Sequence, residues 1–181
     1  HNGFRRTVDK VYGKVLRKED QLYQRWYLAA RPSAEELEAQ RKQKFEKEPL
    51  ISILVPLYRT PEKFLKEMIA SVQGQTYGNW ELCLADGSGE AGSLEKILAP
   101  VCQGDKRIRY RKLKENLGLS GNTNQALSMA EGEFVGLLDH DDLLAPNALY
   151  EIVRALNEKP DTDIFYTDED KIDQSGRKHF A

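Results

Sequence analysis

The stretch Leu50-Ile51-Ser52-Ile53-Leu54-Val55 decides the fold class of this chain. It is a nearly continuous apolar run rich in β-branched residues, which is typical of a strand buried on both faces in a parallel sheet. A helix is predicted next, because Thr60-Pro61 combines an N-cap residue with a proline at the first helical position. Apolar residues then recur at three- and four-residue spacing, at Phe64, Leu65, Met68, Ile69 and Val72.

The same alternation of strand and helix continues along the chain. Further strands are predicted at 80–84, about 108–113, 133–138 and 163–166, and further helices at 93–101, about 119–130 and 146–157. Strands that alternate with helices predict an α/β domain with a mostly parallel sheet flanked by helices. In such sheets ligands bind outside the carboxyl ends of the strands, so polar residues at those ends are the candidates for a site.

The first 48 residues differ from the rest in charge and in pattern. They carry 12 basic and 8 acidic residues, whereas residues 49–181 carry 15 basic and 21 acidic ones. Apolar residues at helical spacing between Val8 and Tyr27 predict one helix, and Ser33 is a candidate N-cap for a second, polar helix at about 34–46. We expect residues 1–48 to be a helical extension or connector to a domain at 49–181. Packing on that domain and a platform for a partner or membrane surface both stay open as its role.

The composition excludes several classes of protein. The chain has 181 residues, a formal net charge of −2 and 40% hydrophobic residues, as in a folded globular protein. This near-neutral charge argues against nucleic-acid binding. Cys83 and Cys102 stand in apolar surroundings, which favours reduced thiols in the cytoplasm over a disulfide or zinc site. No stretch approaches the roughly 20 apolar residues that a membrane span needs.

Polar residues follow three of the predicted strands. They are Pro56-Leu57-Tyr58-Arg59, Asp86-Gly87-Ser88 and Asp139-His140-Asp141-Asp142. An aromatic ring and carboxylates at one sheet edge suit a nucleotide bound with Mg²⁺ or Mn²⁺, which prefer carboxylate oxygens and also bind substrate phosphates. The alternative for the last group, which we call the acidic cluster (Asp139 to Asp142), is an N-cap of the following helix. His140 is expected to be structural or to face solvent.

Five stretches in a fixed order carry a family resemblance. They are the strand Ile51–Tyr58, the S-x-x-x-Q-T-Y segment Ser71–Tyr77, the loop Asp86-Gly87-Ser88, the N-x-G-x-x-x-x-x-N segment Asn116–Asn124, and Glu131–Asp142, which is similar to G-E-Y-x-x-x-L-D-x-D-D. Together they resemble the family 2 glycosyltransferases, which have the Rossmann-like GT-A fold. The later stretch Tyr166–Lys171 resembles a subgroup that builds bacterial surface polysaccharides, including O-antigen-type and rhamnose-containing polymers.

The resemblance implies a metal-dependent, inverting transfer of a sugar from a nucleotide-diphosphate sugar, with UDP or TDP favoured. The acceptor would be a growing cell-surface polysaccharide or a lipid-linked glycan, at the inner face of the cytoplasmic membrane, which leaves peripheral membrane association open. The implied nucleotide-binding residues are Pro56, Tyr58, Asp86, Gly118, Asn124 and Asp139. Asp141 would bind Mn²⁺ or Mg²⁺. The chain would cover the donor-binding half, and the catalytic base would lie downstream of Ala181.

Two departures from the family pattern support a second hypothesis. Ala85 stands where the D-D-G-S loop has its first Asp, and Thr123 stands where an Arg commonly precedes the Asn. A degenerate, non-catalytic nucleotide-binding module is therefore the alternative function, and another nucleotide-using α/β enzyme is a third. For Asp168-Glu169-Asp170 we expect a role in shaping the donor pocket, with a direct contact to donor or metal as the alternative. The basic residues between Lys106 and Lys114 suit a solvated edge strand or a contact with anionic lipid.

Overall fold

A computed structural model describes residues 21–90, 92–172 and 178–180 of the chain. The predicted apolar helix face between Val8 and Leu16 lies outside the described residues. The chain divides into two compact units, one of residues 34–162 and one that combines residues 1–33 with 163–181. The predicted domain boundary after residue 48 stays a prediction.

The larger unit is built on four parallel strands in the order β3-β2-β1-β4. The strands are β1 (Ile51–Leu57), β2 (Trp80–Asp86), β3 (Ile108–Lys112) and β4 (Phe134–Leu137). Every residue of β1 and β2 is buried, as the apolar runs predict for strands covered on both faces. The parallel α/β sheet predicted from the sequence is confirmed.

Helices connect these strands and cover both faces of the sheet. In the larger unit the helices are α2 (Ala34–Lys42), α3 (Glu62–Gln73), α4 (Glu95–Gly104), α5 (Gly118–Leu127) and α6 (Ala148–Glu158), and the smaller unit contains α1 (21–30). On one face, α3, α4 and α6 bury residues such as Met68, Leu98 and Val153 in the main core. On the other face, α5 packs Ala126 against Leu54 and the neighbouring strands. The polar helix α2 buries no residue, as expected of a solvated connector.

Two local predictions are wrong. The expected fifth strand at 163–166 is irregular, and Ile164 and Tyr166 are 81% and 94% exposed. Its three consecutive apolar residues suit a short strand, but in the described part of the chain no strand pairs with it. The smaller unit instead pairs β5 (Asp170–Ile172) antiparallel with β6 (Lys178–Phe180). Thr60 is not the N-cap of α3, because the helix begins at Glu62 and the cap position, Pro61, makes no side-chain hydrogen bond.

Candidate functional site

The carboxyl ends of β1, β2 and β4 lie at one edge of the sheet, as their parallel directions require. Leu57 pairs with Asp86 across β1 and β2, and Leu54 pairs with Leu137 across β1 and β4. Pro56 therefore lies inside β1 rather than after it. All three predicted polar segments consequently begin at this edge.

A cavity of about 360 Å³ opens at this edge between β1, α5 and the end of β4. Its lining residues are Leu54, Pro56, Leu119, Ser120, Thr123, Asn124, Leu137, Leu138 and Asp139. The volume is in the range of small-molecule sites, which combine apolar walls with a few polar groups. The cavity brings together Pro56, Asn124 and Asp139. Tyr58, Asp86, Gly118 and Asp141 are not among its lining residues.

Asp86 is fully buried at the end of β2, and its carboxylate binds the chain's own donors. It accepts hydrogen bonds from the backbone N–H of Ser88 at 2.9 Å, from that of Leu94 at 3.1 Å and from the Tyr110 hydroxyl at 2.9 Å. Burial raises the pKa of Tyr110 to about 12, and its bond to Asp86 adds to the shift. These three donors occupy most of the roughly four acceptor positions of a carboxylate. Asp86 thus anchors the loop that follows β2.

Tyr58 and Arg59 form an exposed pair just beyond β1. The Tyr58 ring is 41% exposed, and the Arg59 guanidinium lies over it, 5.1 Å from the ring centroid. Arg59 has a φ of 50°, a left-handed conformation that non-glycine residues rarely adopt. Its backbone N–H donates to the Ser88 hydroxyl at 2.7 Å, which ties this turn to the loop after β2. An exposed aromatic ring in a fixed turn is suited to stacking on a nucleobase.

The turn into α5 is fixed by two asparagines. Gly118 has a φ of 75°, and its N–H donates to the Asn116 side chain at 3.0 Å. Asn122 is 2% exposed; it donates to the same Asn116 oxygen and accepts from the N–H of Leu117. A Cβ on Gly87 would lie 2.7 Å from the Asn122 amide nitrogen, so only glycine fits there. Sequence reasoning missed Asn122, because nothing local distinguishes a buried asparagine from an exposed one.

The acidic cluster is a turn after β4. The N–H of Asp142 donates to the carbonyl of Asp139 at 3.2 Å, and the Asp141 side chain is 58% exposed. His140 Nδ1 lies 3.7 Å from a carboxylate oxygen of Asp141. The N-cap alternative is wrong, because the next helix begins only at Ala148.

The cluster fits a divalent metal only in part. Within the described residues, no three His, Cys, Asp or Glu side chains converge closely enough to hold a metal ion. Mg²⁺ and Mn²⁺ sites of the kind that use one or two carboxylates together with substrate phosphates do not need such a group. Asp141, exposed and two residues from the cavity wall at Asp139, is suited to that arrangement.

Basic residues in β3 and just before it are paired with other groups of the protein. Arg107 binds Asp105 at 2.7 Å, Arg109 binds Glu131 at 2.7 Å, and Lys112 binds Glu90 at 2.7 Å. Arg111 donates to Ser128, so these side chains are not an unopposed basic patch. This supports the interpretation of a solvated edge strand over a contact with anionic lipid.

The acidic segment Asp168-Glu169-Asp170 belongs to the smaller unit. There the hydroxyl of Tyr23, on α1, donates to the Asp170 carboxylate. Burial raises the pKa of Tyr23 to about 12, and the bond to Asp170 adds to the shift. The predicted role of this segment in shaping a donor pocket stays a prediction.

Curated relatives share sequence with most of this chain. An uncharacterized protein of Sinorhizobium fredii is 43% identical over 130 residues, which is 72% of this chain and 14% of the relative. An O-antigen biosynthesis protein of Myxococcus xanthus is 33% identical over 156 residues, which is 86% of this chain and 12% of the relative. The chain therefore spans about one eighth of the length of these relatives.

Solved structures show the same fold. The crystal structure of S. aureus TarS in complex with UDP is 26% identical with a TM-score of 0.53, over 60% of this chain and 32% of that one. A mannosyltransferase of Pyrobaculum calidifontis, solved with GDP-Man and Mn²⁺, is 19% identical with a TM-score of 0.51, over 67% and 37% of the two chains. These neighbours are GT-A-type transferases, which confirms the expected fold.

Among the helices of the described residues, none combines the length and the apolar character needed to cross a membrane.

The model of the family described as "Glycosyl transferase family 2" matches residues 52–179. This match, the ordered motifs and the parallel sheet show that the chain belongs to glycosyl transferase family 2.

Proposed function

We propose that this chain binds the nucleotide of a nucleotide-diphosphate sugar, and that the protein transfers the sugar with inversion to a growing cell-surface polysaccharide or a lipid-linked acceptor. UDP and TDP are the favoured nucleotides. The observation that carries the proposal is the cavity at the carboxyl edge, which gathers Pro56, Asn124 and Asp139, the first residue of the acidic cluster. The relative named as an O-antigen biosynthesis protein and the UDP-bound neighbour support the choice of acceptor and donor.

The described residues divide the work of holding the donor. Tyr58 and Pro56 border the nucleobase, and Asp86 hydrogen-bonds the base. Gly118 and Asn124 line the nucleotide from α5, and Asp139 lies near the ribose or the sugar. Asp141 would hold Mn²⁺ or Mg²⁺, which neutralises negative charge on the diphosphate leaving group when bound. We assign none of the described residues as the base that deprotonates the acceptor hydroxyl.

Calorimetric titration with UDP, TDP and GDP, with and without Mn²⁺, tests this proposal. We expect binding that depends on Mn²⁺ and that Asp141→Ala loses. Asp161→Ala is the matched control, because it removes an exposed carboxylate of the same unit far along the chain from the cluster. Equal binding by both variants, or no binding of any diphosphate by the unmodified chain, would contradict the proposal.

A degenerate nucleotide-binding module is the second candidate, and two side chains favour it. Ala85 is fully buried under α5, so this position offers no carboxylate to a ligand. Thr123 lines the cavity, and its hydroxyl donates to the carbonyl of Leu119 in its own helix at 2.9 Å. The cavity therefore lacks the cation that an arginine would supply there. A module of this kind binds nucleotide but neither transfers nor hydrolyses any sugar nucleotide, which a donor-hydrolysis assay of the full-length protein distinguishes.

A further inference from the structure

Gln75 is a buried polar side chain whose contacts the proposed function does not use. It lies just after α3 and is 5% exposed. Its amide nitrogen donates to the carbonyl of Ala145 at 2.7 Å and to that of Ser71 at 3.1 Å. Its amide oxygen accepts from the N–H of Leu149 at 3.0 Å. One side chain therefore binds the segment that follows the acidic cluster at two points.

Two neighbours of Gln75 bind the same segment. The Ser71 hydroxyl accepts from the N–H of Leu144 at 3.2 Å. The N–H of Thr76 donates to the carbonyl of Pro146 at 2.9 Å. Ser71, Gln75 and Thr76, which we call the Gln75 bracket, thus satisfy four backbone groups between Leu144 and Leu149. These are the Ser, Gln and Thr of the S-x-x-x-Q-T-Y segment.

The bracket fixes one end of the acidic cluster. The other end is fixed by β1, because the N–H of Leu138 donates to the carbonyl of Leu54 at 3.2 Å. Few residues separate Leu138 from Leu144, so the positions of these two anchors set the course of the turn between them. Asp141 is largely exposed and is not held by packing. Its place relative to the cavity therefore depends on the anchors on either side.

We propose that Gln75 is a positioning residue for the metal-binding carboxylate of the acidic cluster. This inference rests on the proposed function, since it assumes that Asp141 binds the metal. Gln75 acts through the backbone of residues 144–149 and touches neither metal nor nucleotide. Its loss should weaken metal binding by about tenfold, the lower end of the effect of removing a group that orients a metal ligand.

The test is UDP affinity at limiting and at saturating Mn²⁺ in Gln75→Met, a variant of similar size without the amide. Gln103→Met, on the exposed side of α4, is the matched control. We expect Gln75→Met to lose about tenfold in UDP affinity at limiting Mn²⁺, and saturating Mn²⁺ to restore it. A purely structural role predicts a lower melting temperature with the same UDP affinity at both Mn²⁺ levels, or a loss that Mn²⁺ does not restore. Either result would overturn the inference.

Two further variants separate the possible failures. If Gln75→Met does not fold, Ser71→Ala takes its place in the test, because it removes only the hydroxyl that binds the N–H of Leu144. An unchanged Mn²⁺ requirement for UDP binding in Ser71→Ala overturns the inference. Asp141→Ala is titrated beside them. If it keeps the unmodified Mn²⁺ requirement, the proposed function fails and this inference with it. If it loses Mn²⁺ dependence while Gln75→Met keeps the Mn²⁺ requirement of the unmodified chain, only this inference fails.

Discussion

Gly132, just before β4, is the position where adding one methyl group should damage the fold most clearly. Its N–H donates to the Ser52 hydroxyl at 2.8 Å. A Cβ there would lie 2.5 Å from the Ser52 hydroxyl oxygen, 2.6 Å from the carbonyl oxygen of Leu50 and 2.7 Å from the backbone nitrogen of Ser52. Two of these atoms belong to the backbone at the start of β1. Gly132→Ala must therefore push the segment before β4 away from the central strand.

The cost follows from the contacts that this shift disturbs. Overpacking a close-packed site costs about 1–3 kcal/mol, and losing the bond from Gly132 to Ser52 adds about 1 kcal/mol. The N–H of Glu131 donates to the buried carboxylate of Glu81 at 2.5 Å. Because Glu131 directly precedes Gly132, the same shift disturbs this bond as well. We expect Gly132→Ala to lower the free energy of unfolding by about 3 kcal/mol. For a chain of this size that corresponds to a fall in melting temperature of roughly 6–12 °C.

Thermal unfolding of the full chain, followed by circular dichroism, measures the effect. Gly136→Ala is the control, because it adds the same methyl group within β4 where no heavy atom lies within 4 Å. We expect Gly136→Ala to melt close to the unmodified chain. If both variants melt at the same temperature, the close contact between Gly132 and β1 does not contribute the expected stability.

Two more predictions concern the edge of the sheet. Tyr58→Ala should weaken UDP binding by about 1–3 kcal/mol in calorimetry, since it removes a stacking surface. Tyr58→Phe keeps the ring and should bind UDP within about twofold of the unmodified chain. Equal UDP affinity of all three chains would exclude stacking on Tyr58. The pKa of Tyr110, about 12 in the folded chain, lies above the ordinary value of 10.0, so its stabilising effect is complete below pH 10 and is lost as the pH rises towards 12. Urea unfolding should show a smaller loss of stability across that range in Tyr110→Phe than in the unmodified chain, and an equal loss would contradict the assignment.

The sheet could be predicted from the sequence because its signals are local. Residues 50–55 predict β1 by their apolar side chains alone, and the strand observed over Ile51–Leu57 overlaps nearly all of that range. The three- and four-residue spacing of apolar residues likewise predicts α3, whose Leu65 and Val72 are fully buried. The segment 163–166 shows where local signals fail. Its three consecutive apolar residues resemble a short strand, but a strand also needs a partner, which the pattern does not contain.

The candidate site divides into residues that hold loops and residues that face outward, and the sequence alone does not separate them. Asp86 ends one apolar strand, Asp141 comes shortly after another, and both match family motifs. Asp86 is buried because Leu94 and Tyr110, donors 8 and 24 residues further along the chain, reach its carboxylate. Asp141 is exposed in a turn anchored on both sides. Substituting Asp86 should therefore disturb stability and binding together, whereas substituting Asp141 should change binding alone.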